Sequence, residues 1–122
     1  MKIKKIMLVD DSRVSRMMFI KFLEETPLSF EFVEAGSGEE ALALLTNNEE
    51  LKHFVVDYNM PGMNGLELIA KVKAIDPEAV FNLLTANIQP DMYVRCEKLG
   101  VSVTAKPITK EKVIDIIKEF QK

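Results

Sequence analysis

The chain has 122 residues, nearly half apolar and under a third charged, an ordinary globular mixture long enough for one domain, expected over residues 1–122. A net charge of −3 gives no strong field toward nucleic acid or an acidic membrane, so neither is expected as a partner. The single cysteine, Cys96, excludes an internal disulfide and suits a reducing compartment, so a cytoplasmic protein is expected.

The opening Met1-Lys2-Ile3-Lys4-Lys5 is basic, but the apolar run behind it, Ile6 to Val9, stops at Asp10 and Asp11. That is too short for a signal core or a membrane span, and it reads as a strand. Ser15, Met18, Phe19, Phe22 and Leu23 then follow the spacing of one buried helix face. Phe30 to Ala35 reads as a second strand. Ser37 with Glu40 predicts a capping box opening a second helix through Ala41, Leu42 and Leu45. Phe54 to Val56 is a third strand, followed by a helix whose face carries Gly65, Leu68, Ile69 and Val72. Val80 to Thr85 is the fourth strand, and a less regular helix from about Asp91 to Leu99 stops at Gly100. Val101 to Thr104 is a weak fifth strand, and Val113, Ile116, Ile117 and Phe120 mark the last helix.

Five strand-then-helix units with short connections require parallel strands, because a crossover must separate parallel neighbours. The first and third strands are apolar throughout, as strands buried on both faces are. The expected fold is α/β, a doubly wound parallel sheet with helices on both faces. Ligands in such sheets bind beyond the carboxyl ends of the strands, where strand order reverses.

The unusual residues stand at those ends. Asp10 and Asp11 follow the first strand, Asp57 ends the third, Thr85 the fourth and Lys106 the fifth. Three carboxylates held together raise one another's pKa unless a cation joins them. Hard oxygen ligands with no histidine or cysteine beside them favour Mg²⁺, with Mn²⁺ as the alternative. Mg²⁺ is commonly shared with phosphate oxygens, which points to phosphoryl chemistry with Asp57 as the nucleophile. Lys106 and the Thr85 hydroxyl would serve the charge on a transferring phosphoryl group.

Val9-Asp10-Asp11-Ser12, Asp57 to Gly65 (DYNMPGMNG), Leu84-Thr85-Ala86 and Lys106-Pro107 together resemble the response-regulator receiver family, particularly single-domain chemotaxis regulators of the CheY type. The resemblance covers the whole chain in order. It implies a flavodoxin-like sheet of order 2-1-3-4-5, and a phosphoryl group taken onto Asp57 from a histidine kinase, a phosphotransfer protein or a small phosphodonor. It also implies Mg²⁺ bound by Asp11, Asp57 and the backbone carbonyl of Asn59, with Asp10 reaching it through water. Thr85 and Lys106 would contact the phosphoryl oxygens, and the Lys106-Pro107 bond would be cis. Output would pass through protein contacts on the fourth helix, fifth strand and fifth helix, with Tyr93, Lys110 and Lys112 as the candidate contacts.

The chain departs from that family in two places. Its receivers usually carry Tyr or Phe three residues before the lysine, where this chain has Val103. The interval from Thr85 to Lys106 is also one residue short, with the loss just after Gly100, so an adjusted loop or a bulge is expected to restore the register. Valine is no two-position lever, which favours a phosphate sink or relay over direct motor control. The reading from another class is a Mg²⁺-dependent phosphohydrolase working through an aspartyl-phosphate. Against it, the two aspartates are adjacent rather than two apart, and no cap domain is present in the sequence. Among the remaining residues, His53 is expected at the surface, Cys96 as a packed thiol, and the seven methionines mostly as core filler. Met92 and Tyr93 are left between core and contact patch.

Overall fold

A computed structural model describes residues 5–122, so the basic opening at residues 1–4 lies outside the described residues. The elements alternate in the expected order: β1 (Lys5–Val9), α1 (Arg13–Glu24), β2 (Glu31–Ala35), α2 (Gly38–Leu45), β3 (His53–Asp57), α3 (Gly65–Ile75), β4 (Val80–Thr85), α4 (Pro90–Leu99), β5 (Ser102–Ala105) and α5 (Lys110–Phe120). All strand pairs are parallel, in the order β2-β1-β3-β4-β5. The chain runs outward from β1 to β2 and then returns to β3 on the other side, so the switch point lies between the carboxyl ends of β1 and β3.

The two-residue period of the strands divides the core into two layers. Met7, Val9, Phe54, Val56, Phe81 and Leu83 meet α2, α3 and α4 through Ala41, Leu68, Ile69, Val72, Met92 and Cys96. Ile6, Leu8, Val55 and Leu84 face the other way, against Phe19 and Leu23 of α1 and Val113, Ile116, Ile117 and Phe120 of α5. β1 and β3 thus have apolar residues on both faces because helices cover both.

Several local expectations need correcting. Met18 is 46% exposed and Met17 lies exposed beside it, so these two are not core filler. Successive residues stand about 100° apart around a helix, so Phe19 and Leu23 are buried in the layer shared with α5 and Ile20 and Phe22 pack at its edge, while Met17 and Met18 turn outward. The capping box at α2 is half formed: Ser37 Oγ accepts the Glu40 amide, but Glu40 accepts from Gly36 instead of Ser37. The complete box stands at α3, where Asn64 and Glu67 cap reciprocally. His53 is half-buried, its ring 5.1 Å from that of Phe120, because α5 extends over the start of β3. Met92 is core and Tyr93 is exposed.

The short interval before Lys106 is absorbed by the loop. Gly100 ends α4 with φ 70°, a left-handed conformation that glycine adopts without a Cβ clash. Val101 donates back to the Cys96 carbonyl at 2.9 Å, and β5 starts at the next residue. From Asn82↔Ser102 to Thr85↔Ala105 the register is continuous, with no bulge.

Candidate functional site

β1 and β3 end side by side at the switch point and bring their terminal acids together. One carboxylate oxygen from each of Asp10, Asp11 and Asp57 lies within 4.8 Å of the others. Asp10 and Asp57 are 2% and 3% exposed, while Asp11 is open to solvent. The Asp10 amide prolongs the sheet by donating to the Ala35 carbonyl, and its side chain accepts the Ser12 amide at 2.9 Å, an Asx turn leading into α1. Asn59 follows Asp57 in the loop and is exposed.

Lys106 comes to the acids from the end of β5. Its amide donates to the Thr85 carbonyl at 2.9 Å, which carries the β4–β5 ladder one step past Ala105. Its ammonium lies 2.7 Å from Asp57 and 3.8 Å from Asp10. The Lys106–Pro107 peptide is cis. Thr85 is buried at the end of β4, and its Oγ1 accepts the Asn87 amide at 2.9 Å, which leaves its own O–H as a donor.

The charges follow from burial and company. Burial pushes the Asp57 carboxyl above its usual range, against the lowering effect of the Lys106 hydrogen bond, and Asp10 adds to the rise. Burial likewise raises Asp10, partly offset by the Ser12 amide and the Lys106 charge. Burial by itself would lower Lys106, but the hydrogen bond to Asp57 and the surrounding carboxylates hold its pKa above the ordinary lysine value. Three hard oxygen donors with excess negative charge, and no nitrogen or sulfur ligand among them, fit a small divalent cation of the Mg²⁺ type.

Comparison with known proteins agrees with this geometry. The model of the response regulator receiver domain matches residues 6–118. The chain belongs to the response-regulator receiver family. A CheY homologue of Campylobacter jejuni is 48% identical over 71 residues, 57% of this chain and 53% of that protein, so the match spans about half of either. CheY of Thermotoga maritima is 31% identical with 98% of both chains covered. Among solved structures, CheY4 of Vibrio cholerae superposes with a TM-score of 0.82 at 24% identity, over 97% of this chain and 98% of that one. CheY of Borrelia burgdorferi, solved in complex with CheX, BeF3 and Mg²⁺, gives 0.87 at 20% identity, over 98% and 90%. These structural likenesses establish the CheY-type fold, and the phosphohydrolase alternative is not favoured.

Of the residues expected at the receiver site, Asp10, Asp11, Asp57 and Lys106 come together directly. Val103 occupies the position three before the lysine, half-buried against the layer of α2, α3 and α4. Tyr93 is 44% exposed on α4. Lys110 on α5 lies 3.7 Å from Glu25, and Lys112 donates to the Ala105 and Pro107 carbonyls. Among the described residues no helix is long and apolar enough to cross a membrane.

Two arrangements around the receiver site were not anticipated. Arg16 donates to the Asp10 carbonyl and pairs with Glu34 at 3.0 Å, which ties α1 to the ends of β1 and β2. Arg95 of α4 stands 5.9 Å from the centroid of the Tyr58 ring, immediately after Asp57. The sequence carries no signal for the pairings of Arg16 with Glu34 and Arg95 with Tyr58, because those partners are distant in the chain.

Proposed function

We propose that this receiver is a phospho-accepting switch in two-component or chemotaxis signalling, with Asp57 as the acceptor. The reading rests on one observation: a nearly buried aspartate shares a three-carboxylate cluster and lies 2.7 Å from a lysine ammonium. A carboxylate oxygen of Asp57 attacks the donor phosphorus. The bond from phosphorus to the nitrogen of a phosphohistidine, or to the leaving oxygen of a small phosphodonor, breaks. The leaving group departs with its electron pair and takes a proton from solvent.

Lys106 holds Asp57 in place before transfer and afterwards meets a phosphoryl oxygen with its ammonium. The Thr85 O–H donates to a second phosphoryl oxygen, and that hydrogen bond reports the new charge to the loop that leads into α4. Asp10, Asp11, Asp57 and the Asn59 carbonyl would hold Mg²⁺, or Mn²⁺ in its place, which supplies neutralisation of the phosphoryl charge. The donors are a histidine kinase or phosphotransfer protein, and the output passes to a protein target through the face carrying Tyr93, Lys110 and Lys112. Neither nucleic acid nor membrane is a partner, and the setting is cytoplasmic, in keeping with one buried thiol. Valine at 103 favours a sink or relay role, since coupling to the surface then runs through the backbone near Thr85 and α4.

With Mg²⁺ and phosphoramidate, intact mass should show one phosphoryl group added, stable in acid and labile in alkali. It should disappear in Asp57→Ala and on chelation with EDTA. Equal labelling of Asp57→Ala would overturn the assignment.

A further inference from the structure

Three helices of this receiver begin at a side-chain N-cap whose third helical residue bears a charge, and α5 breaks the pattern. α2 and α3 carry Glu40 and Glu67 there, and α3 closes a full capping box. A glutamate at that position satisfies a free amide and complements the positive end of the helix. α5 is capped by Thr109, whose Oγ1 accepts the amide of Lys112, so the third helical residue is a lysine. A cation there opposes the helix dipole and offers no acceptor to the cap.

Lys112 is instead turned back over the loop that carries Lys106. Its ammonium donates to the Ala105 carbonyl at 2.7 Å and to the Pro107 carbonyl at 3.0 Å. These are the carbonyls on either side of Lys106, whose own amide is fixed by the Thr85 carbonyl. The backbone on both sides of Lys106 is therefore tied down, by β4 through one bond and by α5 through two charge-assisted ones. From that anchored backbone the Lys106 ammonium reaches Asp57 at 2.7 Å.

We propose that Lys112 is a positioning residue for phosphoryl acceptance: it clamps the carbonyls flanking Lys106 and so fixes where the Lys106 ammonium stands. The inference rests on the phospho-acceptor reading of Asp57. It explains why helix stability is given up at this position, since an ammonium can bridge two carbonyls and a carboxylate cannot.

The test compares labelling rates with phosphoramidate and Mg²⁺, followed by intact mass, together with melting temperatures. If the wild-type protein gains no phosphoryl group on Asp57, the underlying reading fails and the rates of variants are moot. Given wild-type labelling, Lys112→Met should label on the order of tenfold more slowly, the scale of loss when a catalytic group is held loosely. Lys112→Arg, which keeps the donors, should stay within about twofold of wild type. Lys112→Glu completes the capping box of α5, so it should melt at or above the wild-type temperature and yet label slowly. Wild-type labelling in Lys112→Met overturns the proposal. So does slowing that follows a fall in melting temperature across the three variants, because that pattern belongs to a residue that only stabilises the fold.

Discussion

β3 carries an ionisable residue at each end, and burial disfavours the charged form at both, but only one end has an opposite charge beside it. At its start His53 lies against the Phe120 ring, and burial depresses its pKa, against a raising effect of the Phe120 backbone, so that the neutral form is favoured. At its finish Asp57 is more deeply buried, but a lysine ammonium lies 2.7 Å away and two more carboxylates stand beside it. Burial meets little opposition at His53, whereas at Asp57 the Lys106 ammonium offsets part of its effect. The same five-residue strand joins an unpaired end to a charge-paired one.

The largest effect on this contrast should come from filling the space behind Asp57. The α3 helix begins at Gly65, whose amide donates to the Tyr58 carbonyl at 2.9 Å. A Cβ at this position would lie 2.9 Å from both Tyr58 Cα and Leu83 Cδ1, and the first of these is backbone that cannot turn aside. Gly65→Ala should cost about 3 kcal/mol by overpacking, measured by urea denaturation. It should also slow labelling, while His53 keeps its titration. A loss below about 0.5 kcal/mol, the range of a neutral surface change, would mean that α3 shifts freely.

Removing the partner charge should make the charge-paired end resemble an unpaired buried site. Without divalent ions, Lys106→Met should destabilise the receiver by about 2 kcal/mol, because two buried carboxylates lose the ammonium that lies beside them. In an Asp57→Asn background the same substitution should cost less than half as much, since one of those charges is already gone. Equal costs in the two backgrounds would show that Lys106 acts through its packing alone.

The smallest effect belongs to His53. Its pKa in the folded state lies below the unfolded value, so between the two the unfolded chain binds more protons and stability rises with pH. The contribution is complete above the ordinary histidine value and is lost as pH falls through the folded one. His53→Phe keeps a ring against Phe120 without the titration. Its melting temperature should therefore drop less than that of wild type between pH 7 and pH 5. Parallel slopes would show that His53 binds protons equally in the folded and unfolded states.

The parallel sheet with helices on both faces and the convergence of Asp10, Asp11, Asp57 and Lys106 were legible from short-range patterns, while the strand order came with the resemblance to the receiver family. Strand and helix periods set the faces, and the chain order of strand ends sets which residues meet. Met18 and His53 were misread because exposure at the margin of a buried stripe depends on which neighbour lies above it. Met18 is left open to solvent, whereas His53 lies beneath Phe120. The missing residue after Gly100 was visible as a length, but either a loop or a bulge would have satisfied that length. The structure uses a left-handed glycine and an immediate strand start. Lys112 did carry a local signal, a cation where a capping acid belongs. Its carbonyl partners became apparent only once the loop was folded.

Cys96 is the chain's one thiol, 1% exposed on the inner side of α4, with its pKa raised by burial. Such a thiol cannot be alkylated until α4 lifts from the sheet or frays. The receiver thus contains its own stopwatch for that helix. In a short pulse of a thiol reagent, the modified fraction measures how often α4 opens, with no label and no engineered residue. Because α4 also holds Arg95 against Tyr58, the residue after Asp57, loading of Asp57 in the proposed phospho-acceptor role should change the rate of that clock.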